Sequence, residues 1–387
     1  MAFAGVLALA VPAHAARPPA AARAVASYVA MERYLFDAQT RAYPNQQAWP
    51  ISQAIAATIA VARIPGVRTD AATHAESGFK ELATLRAGGL YEAATGASIY
   101  YDDNEWIAQD LLDWNVYRPG SASVARAEAI FAGVVRAWDG DATTPCAGGV
   151  YWTTAPDVRD RNTVSTANGA LVGLRLYALT HRPVFLYWSR RMLDWMNACL
   201  LAPNGLYWDH VAADGTVDQH EWSYNQGSPI AAYLLLYETT GDRSALAHAE
   251  QLADDTLAAF SGTWATEPPQ FAAIFFQHVL ELAAVDGRMQ YVAAAQSYAD
   301  AAWNTLRDPQ TGLFSGGLLG QAAFVQLYAH LALTETGAAA RRSPPPATAP
   351  TPRGSGGVGE GHGRALPSPR TRPARAARNG RSSRTSR

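Results

Sequence analysis

Apolar positions recur at helical spacing along nearly the whole chain. Over residues 21–40 they fall at Val25, Tyr28, Val29, Leu35 and Phe36, the spacing of one helix face. Residues 49–64 are apolar nearly all round and close on Pro65-Gly66. The alternation then repeats. Amphipathic stretches over 69–86, 122–138, 183–200, 243–260 and 288–306 are each followed by a more uniformly apolar one, over 102–114, 162–180, 223–240, 270–285 and 320–336. A helix polar on one face wants solvent there, whereas one apolar on every side wants neighbours all round. Six of each predict an all-α fold, an (α/α)6 barrel of six inner and six outer helices, with a plain helical solenoid as the runner-up. Nothing in the pattern alternates strand with helix as a parallel sheet requires.

The loops ahead of the apolar stretches repeat as well. Gly89-Leu90-Tyr91, Gly149-Val150-Tyr151-Trp152, Gly205-Leu206-Tyr207-Trp208 and Gly312-Leu313-Phe314 stand at matching places. In a barrel they would gather at one end, around the starts of the inner helices.

One of those starts carries adjacent carboxylates among rings and amides, in Tyr100-Tyr101-Asp102-Asp103-Asn104-Glu105-Trp106. The dipole at a helix N-terminus favours one carboxylate staying ionised, while repulsion and partial burial press the other to keep its proton. That division yields a nucleophile and an acid from identical side chains, the pair a glycosidase uses. Neighbouring residues suit the separation of about 5–5.5 Å needed for retention better than the ~6.5–9.5 Å of inversion. Glu105, two residues past Asp103, is expected to point away from it. An Asp-Asp magnesium site would want a further acid one turn on, where this chain has Trp106, and His220-Glu221 lacks the second histidine of a zinc helix. No metal or cofactor is expected.

Other inner-helix starts are polar too. Asn162-Thr163-Val164-Ser165 opens one and Trp222-Ser223-Tyr224-Asn225-Gln226-Gly227 another. Helix capping accounts for Ser and Asn at such places. Amides beside rings also suit sugar hydroxyls and the C–H faces of pyranoses. The expected substrate-binding set is Tyr101, Asn104, Trp106, Trp152, Asn162, Trp208, Asp209, Tyr224, Asn225 and Gln226, with Asp102 and Asp103 catalytic. Trp114, Trp138, Trp195 and Trp303 fall inside helices and read as core.

Composition narrows this further. The 11 Trp and 17 Tyr suit a carbohydrate cleft, and the net charge of −2 hides a division. From Arg341 onward 11 Arg face one acid, so this tail carries +10 and the rest −12. The acidic remainder lacks the basic stripe of a nucleic-acid binder. Residues 1–15, ending Ala13-His14-Ala15, read as a signal peptide, which places the protein outside the cell or at its surface. No run is long enough for an integral membrane span. Residues 338–387, rich in Pro, Ser, Gly and Arg, are expected to be disordered, either holding an anionic cell wall or membrane surface by charge or serving no role. Between them, 16–337 forms one catalytic domain, expected to act as a monomer. Cys146 and Cys199 are either paired or two buried thiols.

Taken together, Tyr101-Asp102-Asp103-Asn104-Glu105-Trp106, Arg161-Asn162-Thr163-Val164-Ser165, Asn204-Gly205-Leu206 and Trp222-Ser223-Tyr224-Asn225-Gln226-Gly227 resemble glycoside hydrolase family 76, the endo-α-1,6-mannanases, over most of residues 30–336. The resemblance implies an (α/α)6 fold and retaining hydrolysis of α-1,6-linked mannan, with Asp102 as nucleophile and Asp103 as acid/base. Fungal relatives look like wall-remodelling transglycosylases, so transfer to another sugar stays open. So does a carbohydrate-binding protein without turnover. The basic tail departs from the family pattern.

Overall fold

The computed structural model describes residues 19–120 and 122–337. The expected leader (1–15) and tail (338–387) lie outside the described residues. Within them, twelve α-helices alternate between two rings. The inner ring comprises α2 (Ala48–Ala62), α4 (Tyr101–Tyr117), α6 (Thr163–Thr180), α8 (Tyr224–Thr240), α10 (Pro269–Asp286) and α12 (Gly317–Glu335). Each packs on the next, and α12 returns to α2, so the ring closes. The outer helices are α1 (Ala20–Leu35), α3 (Ala71–Leu82), α5 (Ser123–Arg136), α7 (Pro183–Cys199), α9 (Arg243–Ala259) and α11 (Met289–Thr305). The expected barrel is the observed fold, and an open solenoid is excluded by the closure.

Burial follows the sequence pattern. Every residue of α6 from Thr163 to Leu174, and of α12 from Gly320 to Leu333, is buried. The outer helix α9 buries only Ala245, Ala249, Leu252, Ala253 and Thr256, a single stripe. Large inner side chains such as Phe275 and Leu331 are removed from water almost entirely, a contribution of about 1.5–3 kcal/mol each.

One feature lies beyond what the sequence pattern specifies, and one differs from it. Each outer helix packs chiefly on the inner helix before it in the chain, α3 on α2, α5 on α4 and so on, with α1 closing onto α12. The reason lies in the connections. Those from inner to outer helix are tight, turning through a left-handed C-terminal residue at His181, Gly241 and Gly287 (φ 53°, 77° and 76°). The amphipathic run 21–40 is also shorter as a helix. It stops at Leu35 because Phe36 is extended and the Asp37 carboxylate accepts the Gln39 N–H at 2.8 Å, starting a turn in place of another helical bond.

The outer-to-inner connections are long and bond to one another. Tyr101 N donates to Trp152 O (2.9 Å), Thr163 N to Asp209 O (2.8 Å) and Ser223 N to Glu267 Oε1 (2.9 Å), so the starts of α4, α6, α8 and α10 share one mouth. Here β1 (Arg86–Ala87) pairs with β2 (Leu90–Tyr91), and β3 (Arg161–Asn162), β4 (His210–Val211) and β5 (Val217–Asp218) form a small antiparallel sheet.

The repeated glycine loops have a common construction. Each doubles back on the end of its outer helix, pairing Tyr91 with Arg86, Val150 with Trp138, Tyr207 with Leu201 and Phe314 with Arg307. A polar side chain of the next inner helix then fastens the same residue. Tyr91 N donates to Asn104 Oδ1 (2.7 Å) and Asn104 Nδ2 donates back to Tyr91 O (2.9 Å). Gln226 treats Tyr207 the same way (2.8 and 2.9 Å). Gln321 accepts from Phe314 N (2.8 Å), and Thr166 Oγ1 from Val150 N (3.1 Å). Glycine is required at 149, where φ is +82° and a Cβ would stand 2.5 Å from the Trp195 ring. Cys146 and Cys199 are joined in a disulfide that ties this loop to the end of α7.

Candidate active site

Asp102 and Asp103 lie in the first turn of α4, at the centre of the mouth. Asp102 is only partly exposed, and its Oδ1 is buried without a hydrogen-bond partner. Burial raises its pKa to about 7; the Trp152 side chain and the first backbone N–H groups of α4 bond to the carboxylate and limit that rise, while the nearby Asp209 charge adds to it. Asp103 is pushed well above the ordinary carboxylate range, by burial first and the Asp102 charge second. Two carboxyls this close give up their protons in separate steps, because the first charge holds the second proton in place. One residue is an anion while its neighbour still holds a proton, which is the pairing that displacement at a sugar carbon requires.

The β3–β4–β5 sheet brings in a third carboxylate. Asp209 Oδ1 accepts from Asn225 Nδ2 (2.8 Å) on α8, and its Oδ2 meets His210 Nδ1 (2.8 Å). That bond to Asp209 raises the His210 pKa, so the ring tends to carry charge opposite the acids. Asp209, His210 and Asp218 bring ligand-type atoms within 4.8 Å of one another, a grouping spread over two strands that linear spacing does not reveal. Burial pushes the Tyr224 hydroxyl pKa well up, and Asp209, Asp102 and Glu267 add to it, so Tyr224 presents a neutral O–H to this acidic centre.

The other expected residues divide by surroundings. Tyr101, Trp152 and Trp208 are partly exposed at the mouth, Trp152 edge-on to Tyr100 (centroids 4.9 Å apart). Trp106 is buried in a cluster of its own with Val164 and Ile274, against Trp49 and Tyr224. Asn162 is buried at the start of α6, its Oδ1 unpartnered. Asn104 and Gln226 are fully buried, their amides engaged by the backbone of Tyr91, Tyr100, Tyr207 and Trp222. Trp114 and Trp195 are core, and Trp138 and Trp303 pack against it from the outside.

Two aromatic residues were not anticipated. Phe271 lies tilted against Tyr224 (4.1 Å), edge-on to Trp222 (5.3 Å) and parallel to Trp49 (6.3 Å), giving one side of the mouth a continuous aromatic wall. Both Trp49 and Phe271 sit in the first turn of apolar inner helices, where composition reads as core. Glu105, expected to point away from Asp103, lies one turn below Asp102 and is buried with both carboxyl oxygens unpartnered.

Three kinds of similarity agree with this geometry. Solved structures superpose along most of the chain: a glycoside hydrolase family 76 mannosidase from Bacteroides thetaiotaomicron (TM-score 0.73, 22% identity, covering 82% of this chain and 99% of that one). An α-1,6-mannanase from a Salegentibacter species, bound to α-1,6-mannotriose, gives 0.70 at 18% identity, over 81% and 99% of the two chains. That Salegentibacter protein is an inactive variant in which two adjacent aspartates are replaced by asparagine. The mannan endo-1,6-alpha-mannosidase DCW1 of Saccharomyces cerevisiae is 34% identical over 128 residues, 30% of this chain and 27% of its own length. The matched segment thus spans about a quarter of that relative. The model of glycosyl hydrolase family 76 matches residues 16–314, and the chain belongs to that family.

Proposed function

We propose that the protein is a retaining endo-acting hydrolase of α-1,6-linked mannan. The observation that carries the reading is the adjacent carboxyl pair in the first turn of α4, at the centre of the mouth, with burial raising the pKa of both members. In the first step an Asp102 carboxylate oxygen bonds to the anomeric carbon as the glycosidic C–O bond breaks, and Asp103 delivers its proton to the departing oxygen. In the second, Asp103, now a base, takes a proton from water. The water oxygen bonds to the anomeric carbon, the ester to Asp102 breaks, and configuration is retained overall. Trp152 orients the nucleophile through its hydrogen bond. Tyr101, Trp208, Tyr224 and the Phe271 wall offer ring faces to mannose units, and Asp209, held by Asn225 and His210, offers an acceptor to a sugar hydroxyl.

The Salegentibacter mannanase, inactive when two neighbouring aspartates are replaced, supports the same pair here. The reading extends to a monomeric catalytic domain over 16–337 working outside the cytoplasm. The Cys146–Cys199 disulfide supports an oxidising compartment. No helix among the described residues is long and apolar enough to cross a membrane.

Purified protein incubated with α-1,6-mannan should release manno-oligosaccharides of retained anomeric configuration, and Asp102→Asn should abolish release. Unchanged release by that variant would sink the assignment. Products longer than the starting chains would identify transfer to sugar in place of hydrolysis.

A further inference from the structure

One face of α4 carries Asp102, Glu105, Gln109 and Asp113, spaced 3, 4 and 4 residues apart and hence stacked along the helix. This polar stripe faces α6. Gln109 Nε2 donates to Asn168 Oδ1 (3.2 Å), and Arg175 closes the far end by pairing with Asp113 (2.7 Å). Between these contacts and the catalytic pair stands Glu105. It packs against Gly169 of α6, where a Cβ would come within 3.1 Å of Glu105 Oε1, so the glycine makes room for the carboxyl.

Buried polar atoms without partners occur on both of these facing helices. They include both carboxyl oxygens of Glu105, Oδ1 of Asp102, Oγ of Ser165 and Nδ2 of Asn168. Ser165 lies four residues before Gly169, so the two share a face of α6. Buried polar groups in native proteins are satisfied by protein or by ordered water, and such a water makes about three hydrogen bonds. An ionised Glu105 would face the Asp102 anion with no compensating cation. The elements around it supply none: α2 carries no titratable side chain. Arg175 and Tyr177 lie at the far end of α6, and Arg136 of α5 acts on Tyr101. Arg126 lies beside Tyr91 and Glu128 pairs with Arg182. The remaining charged groups are the acids Asp103, Asp110 and Asp113 on α4 itself and Asp209 from β4's approach, together with His210, whose ring is engaged by Asp209.

We infer that Glu105 is a positioning residue for the nucleophile: held as the neutral acid, it donates through one buried water, shared with Ser165, to the hidden oxygen of Asp102. This arrangement gives the carboxylate a donor on the side away from substrate. The other oxygen, which takes the bonds from Trp152 and the α4 backbone, is the one left to face the sugar, and the pKa stays low enough for the anion to be populated. Burial and the Asp102 charge both favour the protonated form of Glu105.

The inference rests on Asp102 being the nucleophile, and the test separates the two. In the full-length protein, Glu105→Gln replaces one neutral group by another, so the acidic limb of the pH–rate profile on α-1,6-mannan should stay within about 0.3 pH unit of the parent's. Were Glu105 ionised, removing its charge would move that limb down by about one unit. Glu105→Leu removes the donor and excludes the water, so the limb should move up by about one unit, with a rate roughly tenfold lower on the acidic side. A limb unmoved in Glu105→Leu, or lowered in Glu105→Gln, overturns the role. If Glu105→Leu does not fold, Glu105→Met, which also lacks the donor, takes its place: a limb raised by about one unit supports the role and an unmoved limb overturns it. Infrared difference spectra of parent against Glu105→Gln at neutral pH supply a readout that needs no substrate. A protonated-carboxyl band lost in the variant supports the inference, and a lost carboxylate band refutes it. Activity surviving Asp102→Asn would instead overturn the nucleophile assignment.

Discussion

A buried carboxyl that keeps its proton stabilises catalysis and weakens the fold at the same time. Asp102, Asp103 and Glu105 all have pKa values raised by burial above those of an unfolded chain. The folded form therefore binds more protons than the unfolded one at neutral pH, and stability falls as pH rises from about 4 toward the folded values. Activity has the opposite need on its acidic side, because Asp102 must be ionised to attack. Initial rates on α-1,6-mannan should rise as pH passes through about 7, where Asp102 ionises, and fall again as Asp103 gives up its proton. These two limbs belong to the pair, since the charges are close enough to feel each other. Asp103→Asn separates the two effects. It should lower turnover by about 10²–10⁴-fold, the usual contribution of a general acid. It should also raise the melting temperature at pH 8, with that gain shrinking toward pH 4 where both forms are neutral. Thermal melts at the two pH values check this, and a variant less stable at pH 8 would contradict the burial argument.

At the scale of elements, the four mouth loops are each held by a short backbone pairing and one side chain from the next helix. Gln226→Leu leaves the Tyr207 N–H and C=O buried without their partner, which should cost about 1–3 kcal/mol per unsatisfied group. Because the same loop leads to Asp209, KM for mannan should rise more than kcat falls. Melts and steady-state kinetics measure the two effects separately. The recurrence of glycine and an aromatic residue made these loops legible in the sequence. Their fastening was not, because a side chain bonding to backbone 19 residues away leaves no periodic trace. Asn104 and Gln226 have the chemistry that sugar hydroxyls use, and only the fold shows that backbone amides have taken it. Phe271 and Trp49 illustrate the converse. At the first turn of an apolar helix, a ring facing the mouth has the same sequence context as one facing the core. The ring of inner helices was readable throughout, since burial on all sides erases amphipathic periodicity. Which outer helix packs on which inner one was not, because turn length, not hydrophobic pattern, sets that choice.

At the scale of the whole molecule, the barrel is closed by packing, and two further cross-links meet at one loop of its mouth. The Cys146–Cys199 disulfide joins residues 53 apart. Arg161, fully buried, pairs with Asp139 (3.0 Å) and donates to the carbonyls of Pro145, Cys146 and Ala212. The disulfide acts mainly on the unfolded chain, where closing a loop of this length removes entropy worth up to about 4 kcal/mol. Arg161 acts on the folded one, since it grips both the Cys146 loop and the strand pair leading to Asp209. The two should therefore fail differently. Replacing both cysteines by serine should lower stability by about 2–4 kcal/mol, yet leave turnover at 25 °C near the parent's, because Arg161 still holds the Cys146 carbonyl. Arg161→Met leaves Asp139 buried and unpaired, a loss of about 3–5 kcal/mol, and it also frees the loop carrying Trp152, the hydrogen-bond partner of Asp102. Denaturant melts with and without reductant, run beside mannan turnover, distinguish these outcomes. Loss of turnover in the serine variant while it remains folded would show that the disulfide, and not the arginine, sets the geometry at the mouth.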